Sequence, residues 1–120
     1  MNIRYVLAPI FFFGCGSNDI TADAFPEIYA LEQCTVYKRC YRALYDGEYD
    51  NMSRCEESVA DALRSDYEKL YEGCSFSIEQ AQDCLDLKSS ATCEEHWDDQ
   101  YTNEIYNACH EQIWDCSAVQ

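Results

Sequence analysis

The twenty residues CEESVADALRSDYEKLYEGC, from Cys55 to Cys74, contain no proline and a single glycine near their end. Because an α-helix has 3.6 residues per turn, side chains three or four positions apart lie on the same face. Apolar and cysteine side chains recur at that spacing, at Cys55, Val59, Leu63, Tyr67, Leu70, Tyr71 and Cys74. The stretch therefore predicts a helix with one buried face.

The rest of the chain after Pro26 also favours helices, since Gly47 and Gly73 are its only glycines and it contains no further proline. The helix-start pattern S/T-x-x-E/Q occurs at Ser53–Glu56, Ser77–Gln80 and Thr92–Glu95. These signals predict helices at about 24–45, 54–72, 78–88 and 93–114, the last one broken near 101–103. The expected fold is an all-α, disulfide-stapled bundle of about four helices.

Charge excludes one class of partner. The chain of 120 residues has room for one domain and carries 23 acidic against 8 basic residues, a net charge of −15. Binding to nucleic acid depends on neutralising phosphates with basic residues, so no nucleic-acid partner is expected. Anionic lipid headgroups are disfavoured for the same reason.

Nine cysteines without any C-x2-C spacing predict a disulfide framework in an oxidising compartment. The eight expected to form disulfides are Cys34, Cys40, Cys55, Cys74, Cys84, Cys93, Cys109 and Cys116. Two of these, Cys34 and Cys40, would be about 9 Å apart along one helix, too far to bond each other. The first pairs to consider are Cys40–Cys55, across the first hairpin, and Cys84–Cys93, across the short turn at 89–92, although eight cysteines allow 105 connectivities.

The N-terminal segment has the layout of a secretory signal: one basic residue, an apolar run over 5–13, and then small residues. The run is too short to span a bilayer, which needs about 20 helical residues. A lipobox-like FFGC predicts a lipoprotein signal at 1–14, lipidation of Cys15, a tether at 15–22 and a cysteine-rich helical domain at 23–120. The alternative is ordinary signal-peptide cleavage after Ala24, the last residue of the A-x-A pattern that begins at Ala22. That cleavage would produce a secreted protein.

FFFGCGSND, followed by an acidic helical domain with Cys84-Leu85-Asp86-Leu87 and then Cys93, resembles the small cysteine-rich lipoproteins of myxobacteria. The resemblance implies a location in the bacterial cell envelope, as an outer membrane lipoprotein, and a helical disulfide fold. It implies no activity and no functional residues, since that family has no assigned activity.

The segment DGEYDNMSRCEE, from Asp46 to Glu57, is a candidate calcium site. Its acidic residues fall at positions 1, 3, 5 and 12 of an EF-hand loop, at Asp46, Glu48, Asp50 and Glu57. Asn51 stands where that loop needs a glycine, so a solvated loop between two helices is the competing interpretation. No other cofactor is expected.

No sequence motif predicts catalysis: G-x-S-x-G, the P-loop pattern and H-E-x-x-H are all missing from the sequence. His96 and His110 lie near cysteines in the sequence, but a cysteine in a disulfide does not ligate zinc. We therefore expect the protein not to be an enzyme.

Ten tyrosines and two tryptophans supply the other candidate site. Tyr37, Tyr41, Tyr45 and Leu44 share one predicted helix face, which would be either core or a binding surface. The resulting hypothesis is a lipid-anchored, non-catalytic binding or assembly module that presents an acidic, aromatic-rich helical surface to a basic protein or a glycan, with the membrane contacted through lipid on Cys15. Its alternatives are a calcium-dependent module at 46–57 and a secreted enzyme or enzyme inhibitor.

Overall fold

The computed structural model describes residues 20–119, and the predicted signal at 1–14 and the lipidation site Cys15 lie outside this part. Within it, the α-helices are α1 (Phe25–Cys40), α2 (Arg42–Glu48), α3 (Met52–Leu70), α4 (Ile78–Ser90), α5 (Cys93–His96) and α6 (Asp99–Tyr106). A π-helical turn (Asn107–Glu111) continues α6, and a 3-10 turn (Ser117–Val119) follows at the end. Two short strands, β1 (Ser75–Phe76) and β2 (Trp114–Asp115), pair antiparallel. The predicted all-α, disulfide-stapled fold is confirmed.

The core is built around the packing of α1 against α3. A larger cluster contains Ile20, Phe25, Leu63, Tyr67, Ala81, Cys84, Leu85, Ile105, Cys109 and Ile113. A smaller one contains Cys34, Tyr45 and Cys55. The predicted face of α3 supplies buried residues to both clusters. One residue of that face, Leu70, is instead 63% exposed. Within residues 20–119, no helix combines the length and the apolar character that crossing a membrane requires.

The first predicted helix, 24–45, is in fact two helices. The backbone of Tyr41 leaves the helical region, at φ −131° and ψ 55°, and α2 begins at the next residue. The Tyr41 hydroxyl donates a hydrogen bond of 2.6 Å to the carbonyl of His96, and the neighbouring Cys40 is bonded to Cys93. These contacts with α5 keep the backbone out of the helical conformation at Tyr41. They are tertiary contacts, so the local spacing of residues does not predict them.

Helix starts follow the sequence signals in two cases of three. Ser77 and Thr92 cap α4 and α5, and Thr92 forms the full reciprocal box with Glu95. Helix α3 begins earlier than predicted, because the Asn51 side chain, rather than that of Ser53, accepts the hydrogen bond from a first-turn backbone N–H, at 2.9 Å. The last predicted helix breaks at 97–98 rather than near 101–103, since the Asp98 side chain caps α6.

Four disulfides join the eight cysteines of the described domain, and both pairs named first from the sequence are wrong. The bonds are Cys34–Cys55, Cys40–Cys93, Cys74–Cys116 and Cys84–Cys109, with Cα separations of 6.0, 5.2, 4.3 and 4.8 Å.

The correct pairs follow from where the helices break and turn. Because α2 occupies most of the link after α1, the first turn of α3 lies beside the middle of α1, at Cys34, rather than beside its end. Cys84 lies in the middle of α4, on the face that packs against the π-helical turn, and therefore bonds Cys109. The end of α1 is then free to meet the start of α5.

The packed domain begins before residue 23. Ile20 is buried in the larger cluster, and the carbonyl of Thr21 accepts a 2.8 Å hydrogen bond from the backbone N–H of Phe25. The stretch 20–22, predicted to be part of a tether, is therefore part of the folded domain.

Candidate functional site

An open cleft of about 640 Å³ lies where the start of α1, the C-terminal half of α3 and β2 come together. Tyr67 belongs to α3, Tyr71 follows its last residue, and Trp114 comes from β2. Acidic residues from two sides complete the cleft: Asp23 precedes α1, Glu68 lies in the last turn of α3, and Glu72 follows that helix.

The aromatic wall is a set of rings in mutual contact. The Tyr71 and Trp114 rings are stacked, with an interplanar angle of 5° and centroids 5.5 Å apart. Tyr67 meets Trp114 edge to face at 5.0 Å, and Phe76 does so at 5.1 Å. The buried Nε1 of Trp114 makes no hydrogen bond within residues 20–119. Edge-to-face and offset packing of this kind adds about 0.5–1.5 kcal/mol per pair beyond the area buried.

The backbone fixes Trp114 in place. Phe76 in β1 pairs with Trp114 in β2, and the Cys74–Cys116 disulfide closes the same strand pair from outside. Gly73 precedes this pair with a positive φ of 81°, a conformation that glycine adopts without strain. Trp114 is thus held against α3 by covalent and hydrogen-bonded contacts.

Tyr67 is the buried base of the wall. Its hydroxyl donates a 3.2 Å hydrogen bond to the carbonyl of Cys109, and burial raises the pKa of this phenol well above its ordinary value. The hydroxyl therefore stays protonated at neutral pH and acts as a structural donor.

The rim of the cleft carries uncompensated negative charge. Arg64 lines the cleft, but it already pairs with Glu27 and, at 3.4 Å, with Asp61. The carboxylates of Glu68 and Glu72 are exposed and form no ion pair with any described residue. A cationic group entering the cleft would meet aromatic faces and free carboxylates together, the two features that bind ammonium and guanidinium groups.

The predicted aromatic face on the first helix is not an open surface. Tyr45 is buried in the smaller cluster, and Tyr37 and Tyr41 are partly buried. Tyr37 stacks on Tyr49 with centroids 6.3 Å apart, and Leu44 remains exposed on α2. Because the helix breaks at Tyr41, the four residues do not share one face; the core interpretation applies to most of them.

The four candidate calcium ligands lie mostly on helices. Asp46 and Glu48 belong to α2 and Glu57 belongs to α3, so only Asp50 lies in the short link. Asp46 pairs with Arg42 at 3.3 Å and Glu57 with Arg54 at 3.2 Å. Within residues 20–119, no group of three or more acidic, histidine or cysteine side chains is placed to hold a metal ion.

The two histidines are packed among other side chains. His96 is buried, and its Nε2 lies 3.2 Å from the carbonyl oxygen of Lys88. His110 is half-buried against the ring of Tyr106, with centroids 4.5 Å apart. Burial lowers the pKa of both imidazoles, so both are mainly neutral at pH 7.

Lys88 is a residue that the sequence analysis missed. It is 4% exposed, among the least exposed polar residues of the described domain. A signal was present: Lys88 follows Ala81, Cys84 and Leu85 at the three- and four-residue spacing of a buried helix face.

Comparison of the chain with models of protein families, with curated proteins and with solved structures finds no match. The resemblance to small cysteine-rich lipoproteins therefore stays a prediction.

Proposed function

We propose that this protein is a lipid-anchored, non-catalytic binding module of the bacterial cell envelope, and that its cleft between α3 and β2 takes a basic segment of a partner protein. The observation that carries the proposal is the stacked pair of Tyr71 and Trp114 beside the exposed carboxylates of Glu68 and Glu72, which form no ion pair within residues 20–119.

The ligand class follows from charge. Lysine and arginine side chains stack on aromatic faces, a contact that contributes about 0.5–2 kcal/mol, and they pair with carboxylates. A net charge of −15 also raises the rate at which cationic partners arrive, since opposite charges steer diffusion. A cleft of about 640 Å³ has room for one or two such side chains.

The proposed lipid attachment rests on the FFGC sequence that ends at Cys15. Packing at the start of the domain favours cleavage before Cys15 over cleavage after Ala24. The later cut would remove Ile20 from the core, and it would also remove the Thr21 carbonyl that accepts from Phe25. Cleavage before Cys15 leaves both in place.

A non-catalytic role is supported by the disulfide bonds of the cysteines and by the lack of the catalytic sequence motifs considered above. All eight cysteines of the described domain are in disulfides, which leaves no thiolate nucleophile among them. The carboxylates of the cleft lie at its exposed rim, in contact with water rather than in a site that excludes it.

Peptide titration of the full chain in detergent tests the proposal. A fluorescent oligo-arginine peptide is titrated at about 0.15 M salt, alongside a neutral Gly-Ser peptide of the same length. The variant E68Q/E72Q removes two rim charges and is expected to weaken binding about threefold to tenfold, at about 0.3–0.7 kcal/mol for each exposed charge pair. The matched control D83N/E94Q removes two exposed carboxylates outside the cleft and should change binding less than twofold.

Equal loss of affinity in both double variants would mean that the peptide responds to net charge and not to the cleft. A chain that bound neutral oligosaccharides but no arginine peptide would overturn the choice of a basic partner in favour of a glycan.

A further inference from the structure

A second cavity, of about 240 Å³, shares no lining residue with the cleft and lies between α1 and the segment from α4 to the π-helical turn. This Lys88 cavity is lined by residues from five elements, among them Lys88, Tyr29, Tyr37, His110, Ile105 and Val36. Drug-sized ligands occupy cavities of about 300–1,000 Å³, so this one fits a smaller molecule.

Lys88 is the one formal cation in the lining of this cavity. Its Nζ lies 4.9 Å from the centroid of the Tyr29 ring, and it has no hydrogen bond and no ion pair within residues 20–119. Glu32 favours the ammonium form from a greater distance, but burial outweighs it and lowers the pKa of Lys88 to about 8. Within residues 20–119 only Trp114 Nε1 is both fully enclosed and without a hydrogen bond, so Lys88 Nζ reaches the open space of the cavity, where a bound anion can pair with it.

The lining of the Lys88 cavity contains no carboxylate, although the chain has 23 acidic residues. Carboxylates do line the cleft, at Asp23, Glu68 and Glu72, and a neighbouring cavity that shares Tyr29 and His110 with this one contains Asp66. An anion would therefore meet no carboxylate in the walls themselves, since Glu32 and Asp66, which act on Lys88 and His110, lie outside the lining.

The remaining polar groups are suited to an anion that carries an apolar body. Burial and neighbouring phenols raise the pKa of Tyr37, so its hydroxyl stays a neutral donor. The His110 ring makes no hydrogen bond within the described residues and retains its donor capacity. Ile105 and Val36, both buried, supply apolar wall.

We propose that the Lys88 cavity binds a small organic carboxylate, whose anionic group pairs with Lys88 Nζ and whose ring or short chain lies against Tyr29, Val36 and Ile105. This site is separate from the cleft and does not depend on the proposed function. A carboxylate would supply the charge partner that the described residues do not.

The probe is benzoate, and benzamide serves as the neutral control of nearly the same shape. Binding is measured by calorimetry on the full chain at about 0.15 M salt, to limit the long-range repulsion from a net charge of −15. We expect benzoate to bind in the millimolar range, as fragments of its size do, and to bind at least tenfold more tightly than benzamide. Equal binding of the two compounds, or no benzoate binding up to about 20 mM, would overturn the proposal.

The variant K88M keeps the aliphatic stem and removes the charge, and should weaken benzoate binding at least tenfold. K69M removes the charge of an exposed lysine on α3 and should leave benzoate binding unchanged. Unchanged affinity in K88M would place benzoate elsewhere on the protein.

A measurement on the unmodified chain tests the site without any substitution. The chain has three lysines, Lys38, Lys69 and Lys88, so ¹³C-labelled lysine gives a simple NMR spectrum. Benzoate should shift the ε-carbon resonance of Lys88 and leave the other two in place. A uniform small shift of all three would indicate weak surface binding and would overturn the site.

Discussion

Cys40, the last residue of α1, is bonded to Cys93, the first residue of α5, with their Cα atoms 5.2 Å apart. The indole Nε1 of Trp97 donates a 2.9 Å hydrogen bond to the carbonyl of Cys40 in the same place. This disulfide has the longest sequence separation of the four, 53 residues, and it joins the half of the domain that contains Cys34–Cys55 to the half that contains the other two bonds.

Removing this bond should cost more stability than removing the shortest one. By the loop-entropy relation, closing 53 residues stabilises the fold by about 4 kcal/mol and closing 21 residues by about 3 kcal/mol. We expect C40A/C93A to lower the free energy of unfolding by about 4 kcal/mol in urea titrations, and C34A/C55A to serve as the comparison. An unchanged denaturation midpoint for C40A/C93A would contradict the bridging role of this bond.

The helices could be predicted from the sequence because their signals are local. The buried face of α3 is a spacing of three and four residues, and the caps at Ser77 and Thr92 involve backbone groups within one turn. The end of α1 could not be predicted, since Tyr41 is held out of the helix by the carbonyl of His96, far along the chain.

The same distinction explains the disulfides and the cleft. Disulfide pairing depends on the direction that the chain takes after each helix. Because the first helix was expected to continue past Cys40, the partner predicted for Cys40 is wrong. Tyr71 and Trp114 lie far apart in the sequence and meet only because β1 and β2 pair. The composition suggested an acidic, aromatic surface, but not which aromatic residues would line it.

Tyr67 should be a stability determinant through its hydroxyl as well as its ring. The variant Y67F leaves the carbonyl of Cys109 without its 3.2 Å hydrogen bond in a buried position, which costs about 1–3 kcal/mol. The matched control is Y106F, because Tyr106 is 53% exposed and its hydroxyl makes no hydrogen bond within the described residues. That control should stay within about 0.5 kcal/mol of the unmodified protein in chemical denaturation. Equal losses in the free energy of unfolding for Y67F and Y106F would contradict a stabilising role for the buried hydrogen bond.

Calcium should produce no binding heat at the segment from Asp46 to Glu57. Asp46 and Glu57 are paired with arginines, and an EF-hand needs its first ligands in a loop, whereas Asp46 and Glu48 lie on α2. Calorimetry with about 5 mM calcium covers the weak range of extracellular sites. A heat signal that disappears in D50N would restore the calcium-dependent alternative.

Intact mass tests the proposed anchor. Protein extracted from membranes with detergent should begin at Cys15, be heavier by acyl groups, and gain eight hydrogens on reduction of the four disulfides. The variant C15S should accumulate with its N-terminal segment uncleaved. A soluble chain that begins at Phe25 would instead support secretion and would favour the inhibitor and enzyme alternatives.

The pH dependence of stability should reveal the buried charge of Lys88. Burial lowers the pKa of this ammonium from 10.5 in the unfolded chain to about 8 in the folded protein. Between those values the unfolded chain binds a proton that the folded protein does not, so the free energy of unfolding rises with pH. Integrated from pH 7 to 9.5, the contribution of Lys88 is an increase of about 2 kcal/mol.

Urea titrations of wild type, K88M and K69M at pH 7 and 9.5 measure that increase. The comparison stops at pH 9.5 because burial raises the pKa of Tyr29 and Tyr67, and the unfolded tyrosines lose their protons first at higher pH, which lowers stability. K88M should be more stable than wild type at pH 7 and should lack the rise of about 2 kcal/mol, since a buried methionine has no charge to desolvate. K69M, which alters an exposed lysine, should retain the wild-type rise. A rise of the same size in K88M would show that the ammonium of Lys88 is solvated in the folded protein, because only a desolvated ammonium loses its proton before the unfolded chain does.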